Sequence, residues 1–586
     1  MINKKLSTEN LEIFLLGGWI TIALILRFTA LDGKPPWADE FSTLVFSLGN
    51  SFRGIPLNEI ISLDTLLEPL EINPLATYRD VIRHLITESN HPPVYFVLLH
   101  WWMNLFNPAE GYVSLWVARS LPAFFGVLSV PAIYNLAKLS YSAPLVRHFA
   151  AAMMAVSPYA IYLAQETRHY TLALLFVIAS LGCFVKVCEG LNQGKSLPIS
   201  LGFLWIFINC LGIAIHYFFS LTLCAEVIVL GVIFLSKCKE KIRLKPGLIA
   251  SFILPIVGSL MGCLVWLPVF YTNSYGSKLT QWIQGSDRVG FAWISPVVQA
   301  ISGWVPMISL LPIESASFAQ YPLMVISFSL IMVLFFFWVI PILITGLRQV
   351  YQNGETRFST SIWGGFVISA IVLFFSLTYL FNIDLTKGAR YNFTYFPAVI
   401  ILLGSILAWM FKQERVKSQW FQLPVITMNG KKAVFLIWLM GVASGVTVVA
   451  NFGYQKFYKP DALVTIIKQN STVPLLIATP QKTHVEIGEL MGIAWQWKKE
   501  EGRGKKEEGV IMLRNLSLDA PKFLLVNQTK TNLLKTTIEK LAFPLDVWLV
   551  NFPQNQVNLD QNKCQKDTRS CPSVDGYSYQ LYHCFK

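Results

Sequence analysis

Residues 11–31 read LEIFLLGGWITIALILRFTAL, and residues 35–41 read PPWADEF. The first run is long enough to cross a hydrocarbon core of about 30 Å. It is too long and uninterrupted for an ordinary secretory signal and has no small-residue cleavage site, so it reads as a retained span. The second run places two acids, Asp39 and Glu40, where the chain leaves the bilayer. The runs at 199–215, 217–236, 248–270, 322–347, 361–381, 393–411 and 433–452 repeat the apolar pattern. Two more candidates lie at 116–136 and 148–164, and 171–187 follows them. With 54% hydrophobic and 14% charged residues, the chain reads as a polytopic α-helical membrane protein.

The net charge of +13 does not mark a nucleic-acid footprint. The basic residues cluster in short loops between spans: Lys4-Lys5, Lys237 to Lys245, Arg348 to Arg357, Lys412 to Lys417 and Lys431-Lys432. That is the positive-inside pattern. Counting by parity gives eleven spans, with the N-terminus on the cytoplasmic side and the C-terminus outside. The count requires Val94–Phe106, which follows a double proline and contains His100 and Asn104, to lie in the interface. Residues 32–115 then form a long external loop carrying interfacial helices, and residues 271–320 form a second. The expected domains are a transmembrane part, 1–452, and an external soluble part, 453–586.

The tail differs in composition, with 18 Lys/Arg and 13 Asp/Glu in residues 453–586. Val473–Thr479, Lys522–Asn527, Asp546–Asn551 and Tyr577–His583 read as strands, and Glu486–Trp497 and Thr531–Leu541 as helices. This alternation predicts a small α/β domain. Lys498 to Glu508 reads as a solvated loop. Of nine cysteines, Cys183, Cys188, Cys210, Cys224, Cys238 and Cys263 lie in or beside apolar helices and read as small buried hydrophobes. Cys564, Cys571 and Cys584 leave one pair free to bridge on an oxidising side, with the pairing open.

The topology gathers the unusual polar residues on one face: Asp39-Glu40, Glu88 to Tyr95 with His91, Gln165 to Tyr170, His216-Tyr217, and Lys387 to Tyr391. Polar groups at a membrane face are costly unless they are used. Four stretches, three of them from this group, carry a family likeness in order. Trp37-Ala38-Asp39-Glu40, His91-Pro92-Pro93-Val94-Tyr95, Ala118-Arg119-Ser120-Leu121-Pro122-Ala123, and Ser157-Pro158 with Gln165-Glu166-Thr167-Arg168 and Tyr170 resemble the glycosyltransferase C superfamily. Within it they are most similar to the protein O-mannosyltransferase and lipid A aminoarabinose transferase branch, in its bacterial dolichyl-phosphate-mannose-protein mannosyltransferase-like form. The likeness is strong over 30–175 and weaker over 10–410. It departs where some relatives carry an aspartate in the second loop and this chain has Gln165-Glu166.

The resemblance implies a bacterial inner-membrane glycosyltransferase of the cell envelope. It would move a hexosyl or pentosyl unit from a polyprenyl-phosphate donor to a lipid, glycan or protein acceptor on the periplasmic or lumenal face. The residues fit that chemistry independently. Direct displacement needs one general base and cations on the departing phosphate, and no second acid, because the leaving group is already good. Asp39 is the candidate base, with Glu40 and Glu166 as further catalytic candidates. Arg168 and Arg390 suit phosphate as two-pronged donors. Lys387, His91, Tyr170, His216 and Tyr391 complete the substrate-binding candidates. Plainer readings stand beside these: Asp39 as a helix N-cap, Arg168 as a snorkelling residue, and His216 as an interface residue. No local spacing marks a metal site, and a divalent ion would need Asp39, Glu40, Glu166 and His91 to assemble in space. The rival reading, a flippase for lipid-linked sugars, calls for an internal repeat with broken mid-bilayer segments. The sequence shows no repeat.

Overall fold

The computed structural model describes residues 2–106, 110–239, 246–272, 274–285, 288–313, 322–420, 423–454, 456–507, 520–527, 532–553, 557–560, 563–569 and 572–585. Cys571, Glu508, residues 240–245 of a basic loop and residues 314–320 of the second long loop lie outside them.

Eight helices among the described residues are long and apolar enough to cross a membrane: Glu9–Phe28, Leu115–Ser140, Tyr170–Gln193, Phe219–Lys239, Ala250–Val269, Pro322–Gln352, Gly354–Leu380 and Gly430–Val449. Four apolar helices are shorter: Val94–Phe106, Pro144–Val156, Ile199–Ile215 and Phe396–Lys412. Val94–Phe106 has 13 residues, about 20 Å, and is too short to span. The other three correspond to expected spans. By length, therefore, the structure supports eight of the eleven, since 17 residues reach only about 26 Å.

The run 148–164 is one of these three, and it is not a single helix. It breaks into Pro144–Val156 and Pro158–Ala164 at Ser157, whose ψ is 121°. Pro158 has no N–H to offer the carbonyl four residues back, and its ring drives the preceding residue out of the helical region. The carbonyls so released are taken by Arg27, which is fully buried. Its Nη2 donates to Met154 O at 2.8 Å and its Nη1 to Ala155 O at 2.9 Å.

By internal contacts the chain forms two units. The first comprises Met1–Leu31, Ser89–Tyr95 and Arg119–Gln455; the second comprises Asp32–Glu88, Phe96–Ala118 and Lys456–Lys586. Most of the first long loop thus groups with the tail, whereas a cut after 452 leaves it with the membrane helices.

In the first unit, Glu12, near the start of the apolar segment Glu9–Phe28, accepts from Arg147 Nη2 at 2.8 Å. At its other end Arg119 Nη1 donates to Leu31 O at 2.6 Å. An antiparallel pair, Val416–Trp420 with Leu423–Met428, lies between the helices Phe396–Lys412 and Gly430–Val449. The sequence reading does not foresee it, because there the segment is absorbed into a basic loop.

The second unit is built on a six-stranded sheet. Its order is Ile60–Ile61, Lys522–Asn527, Leu475–Gln481, Leu545–Val550, Tyr579–Cys584 and Cys564–Lys566. The three central strands are mutually parallel and the outer ones antiparallel. Leu545–Val550 is buried along its whole length, as a strand covered on both faces must be. Cys564 faces Cys584 across the edge pair and is disulfide-bonded to it. The loop supplies the other edge strand, with Ile60 opposite Leu524 and Asn58 N donating to Leu525 O at 2.8 Å. The expected loop at Lys498 to Glu508 is instead the last part of the helix His484–Glu507. Its Lys and Glu residues are good helix formers, and Gln496 to Glu500 and Trp497 to Glu501 pair one turn apart.

Candidate active site

The candidate residues divide between the units. Asp39 and Glu40 are in the second; Glu166, His91, Arg168, Tyr170, His216, Lys387, Arg390 and Tyr391 are in the first.

The first-unit group forms at one set of helix ends. Arg168 and His169 precede Tyr170–Gln193, His216 ends Ile199–Ile215, and the 389–394 turn precedes Phe396–Lys412. The basic residues Lys237, Lys239, Lys412 and Lys431 sit at the opposite ends of their helices. Gln165 anchors the short connection that carries Arg168. Its Nε2 donates to Thr29 O at 3.0 Å and to Leu26 O at 3.2 Å, the carbonyls left over where the first helix ends. Gln165 thus has a structural use at the point where the family pattern departs. Glu166 is 5% exposed, and its carbonyl accepts from Arg168 N at 2.6 Å.

Hydrogen-bond direction settles the charges of two histidines. Arg168 Nη2 lies 3.1 Å from His91 Nε2. A guanidinium only donates, so Nε2 accepts and the ring proton sits on Nδ1, 3.1 Å from Ser89 Oγ. Phe218 N donates to His216 Nδ1 at 3.0 Å, which leaves the proton of His216 on Nε2. Burial holds the pKa of His169 and of His216 well below the usual histidine value. The charges of Arg168 and Arg390 push both the same way. The positive charge beside these imidazoles is therefore carried by the guanidiniums of Arg168 and Arg390.

Aromatic rings line these groups. His169 contacts His216 at 4.5 Å, Tyr170 at 4.7 Å and His91 at 5.3 Å between centroids. His216 meets Phe393 at 5.0 Å and Tyr391 at 6.1 Å. The Arg390 guanidinium sits over Trp282 at 4.9 Å and over Tyr391 at 5.4 Å, and Tyr159 donates to its backbone carbonyl at 3.0 Å. Gly212 permits the close packing, since a Cβ there would lie 2.6 Å from the Phe219 ring. Lys387 is exposed, and two of its three donors are engaged by the carbonyls of Trp282, at 3.0 Å, and Gln284, at 3.2 Å. It braces the loop beside Arg390.

In the second unit, Asp39 is not an N-cap. Trp37 holds that position, and Asp39 is the second residue of the helix Ala38–Ser47, where an acid is favoured by the helix dipole. Asp39 is half-buried and Glu40 is 1% exposed. The Lys456 ammonium lies 4.2 Å from the Trp37 ring centroid. Tyr458, which lies within the electrostatic reach of Asp39, donates to Glu489. Glu489 also accepts from Asn551 Nδ2 at 2.9 Å, and burial raises its carboxyl to about 7. The helix itself rests on His484–Glu507 at Gly488. A Cβ on Gly488 would stand 3.1 Å from Ala38 Cα and 3.2 Å from Ala38 O. Among the described residues no three His, Cys, Asp or Glu side chains gather as metal ligands do.

The sequence reading misses His169, Trp282, Phe393, Tyr458, Glu489 and Gly488. His169 has a signal, its position in the polar run with Arg168. The others are remote in sequence from the residues they support.

No family model and no curated protein matches this sequence. Among solved structures the chain is similar to ArnT from Cupriavidus metallidurans in the apo state, at 12% identity and a TM-score of 0.47 over 98% of both chains. It is similar to the same protein bound to undecaprenyl phosphate at 12% identity and a TM-score of 0.46, over 96% of this chain and 97% of that one. It is similar also to the apo oligosaccharyltransferase from Archaeoglobus fulgidus, at 12% identity and a TM-score of 0.40, over 92% of this chain and 69% of that one.

Proposed function

We propose that this multi-pass membrane protein is a glycosyltransferase. It takes a sugar from a polyprenyl-phosphate donor and transfers it, with inversion, to an acceptor hydroxyl or amine on the membrane face opposite the basic loops. The observation that carries the reading is the pair of guanidiniums at the helix ends. Arg168 is held by an accepting imidazole and Arg390 is stacked on two aromatic rings, with neutral histidines between them. That combination suits a phosphate at a membrane surface: the charge belongs to planar, two-pronged donors. The rings and neutral imidazoles offer an apolar wall to the sugar or the first isoprene units. The motif order of residues 30–175 gives the same reading from the sequence side.

In this reading the acceptor O–H or N–H gives its proton to the Asp39 carboxylate as its lone pair attacks the sugar's anomeric carbon. The bond from that carbon to the phosphate oxygen breaks, and the electron pair leaves on polyprenyl phosphate. Arg168 and Arg390 stabilise the charge as it develops there. The reaction requires the acceptor atom to come within hydrogen-bond reach of Asp39. Glu40, buried in the same helical turn, serves as its neighbour, and Glu166 shapes the connection that holds Arg168.

The test is purified protein with defined polyprenyl-phosphate sugars, reading loss of the sugar from the lipid. Wild-type protein releases it in the presence of acceptor. Asp39→Asn lowers kcat by about 10²–10⁴-fold while expression and membrane insertion persist. Turnover retained in Asp39→Asn removes Asp39 as the base. Lipid crossing the bilayer of proteoliposomes with its sugar intact would replace the transferase by a flippase.

A further inference from the structure

A second buried polar cluster lies away from these residues, inside the helical bundle of the first unit. Ser180, Asn209 and Glu226 sit on the helices Tyr170–Gln193, Ile199–Ile215 and Phe219–Lys239, and each is at most 1% exposed. Ser259, on Pro246–Leu264, and Trp205 complete the cluster. Ser180 Oγ lies 2.8 Å from Asn209 Oδ1, 2.9 Å from Glu226 Oε1 and 3.2 Å from Glu226 Oε2, and it accepts from Trp205 Nε1 at 3.0 Å. Asn209 Nδ2 donates to Ser259 Oγ at 2.9 Å, and Ser259 Oγ donates to Pro255 O at 2.8 Å.

The protons can be counted. Ser259 spends its single proton on the Pro255 carbonyl, so it must accept from Asn209, which fixes the amide orientation. Asn209 Oδ1 then needs a donor, and the single proton of Ser180 is the one within reach. Nothing remains for an ionised Glu226: among the described residues it hydrogen-bonds to Ser180, and no cation pairs with it. A carboxylate without a donor or counter-ion inside an apolar bundle costs several kcal/mol. With a proton on Glu226 each of the five side chains has a partner of the right sense. Glu226 O–H and Trp205 N–H donate to the two lone pairs of Ser180, Ser180 donates to Asn209, Asn209 to Ser259, and Ser259 to Pro255.

We propose that Glu226 is a neutral carboxylic acid heading a one-way hydrogen-bond chain across four apolar helices, and that Glu226 and Ser180 are positioning residues for His169, Tyr170 and His216. The helices tied by the chain carry those residues at their ends, about 15 Å from Ser180 and about 10 Å from Asn209 along the helix axes. A polar tie of this kind sets rotation and register between helices that apolar packing alone leaves free to slide. The second half of the proposal rests on the transferase reading. The first half does not.

The experiment has two arms. Infrared difference spectroscopy of wild-type protein against Glu226→Gln at pH 7 shows a carboxylic-acid carbonyl band assigned to Glu226. A carboxylate band in its place overturns the proposal whatever the protein's function. In the second arm, Glu226→Gln, whose amide N–H still donates to Ser180, keeps sugar transfer within about twofold of wild type. Ser180→Ala strands Asn209 Oδ1, Trp205 Nε1 and the Glu226 proton; it lowers the thermal midpoint and lowers kcat about tenfold or more with the donor KM little changed, and Ser180→Thr restores both midpoint and kcat. Equal damage from Glu226→Gln and Ser180→Ala shows that the negative charge is required and refutes the chain. Normal kcat in Ser180→Ala refutes positioning. If no polyprenyl-phosphate sugar is turned over by wild type, the transferase reading fails and the infrared arm still decides the state of Glu226.

Discussion

Gly488→Val puts to the test the seat of the helix that begins at Ala38. An added Cβ at this position meets backbone, 3.1 Å from Ala38 Cα and 3.2 Å from Ala38 O, and backbone cannot step aside by changing rotamer. Ordinary carbon contacts lie at about 3.5–4.0 Å. Alanine therefore calls for a shift of about 0.5 Å, and the two further methyls of valine for about 1 Å. Overpacking of this size costs about 1–3 kcal/mol. Losing a helical glycine returns up to about 1 kcal/mol, so the valine variant still folds while the helix is displaced. Asp39 is the next residue after Ala38 and moves with it. Misplacing a reacting group by about 1 Å costs about 10²-fold in rate. The expected series is a near-normal kcat for Gly488→Ala and a fall of about 30–100-fold for Gly488→Val, read as sugar released per minute beside Asp39→Asn as the floor. Gly502, on the same helix, supplies the control, because a Cβ added there would meet nothing within 4 Å: Gly502→Val leaves kcat unchanged. If Gly488→Val stays within about threefold of wild type with its thermal midpoint lowered, the helix has moved or loosened without consequence, and Asp39 is not held by this contact.

Three further outcomes follow from the geometry. Arg390→Lys keeps the charge but loses the planar stack on Trp282 and Tyr391, and it raises the donor KM about tenfold, since a stacked cation contributes about 1–2 kcal/mol; an unchanged KM removes Arg390 from the phosphate site. Replacing His91 by Phe deprives the Arg168 guanidinium of its acceptor at 3.1 Å, so donor KM rises while Asp39 chemistry is untouched, and a fall in kcat alone contradicts that assignment. Glu489 gives a pH signature. Its carboxyl, ordinarily near 4.5, is raised to about 7 by burial, so the folded state holds a proton that the unfolded chain releases. Stability is full below about 4.5, declines as pH rises to about 7 and levels beyond, by about 3 kcal/mol. Thermal unfolding of wild type against Glu489→Gln across that range should diverge, and parallel curves refute the shift.

Most of the helical framework was legible because apolar runs of spanning length have a single economical environment, and charge between them orders the loops. Ile199–Ile215 begins and ends where its run does. The sequence reading misses the break at Ser157-Pro158, since 148–164 reads there as one span, although the proline itself carries it; its rescue could not be read, because Arg27 reaches the freed carbonyls from 127 and 128 residues away. The tail strands could be read from their continuous apolar runs, whereas the edge strand Ile60–Ile61 is two residues long and exists only against Lys522–Asn527.

The candidate site divides in the same way. Residue type alone marks Asp39, Arg168 and Arg390, because a carboxylate and guanidiniums at a membrane face are costly to keep without use. Their states and supports come from contacts distant in sequence. The acceptance of Arg168 by His91 spans 77 residues and makes that imidazole neutral. The platform under Arg390 is Trp282, in a loop with no motif of its own. The seat beneath Ala38-Asp39 is a glycine 450 positions further on, chosen for the side chain it lacks. Hydropathy and charge act locally and leave a periodic trace in the chain; hydrogen-bond direction, ring stacking and close approach exist only between residues that folding brings together.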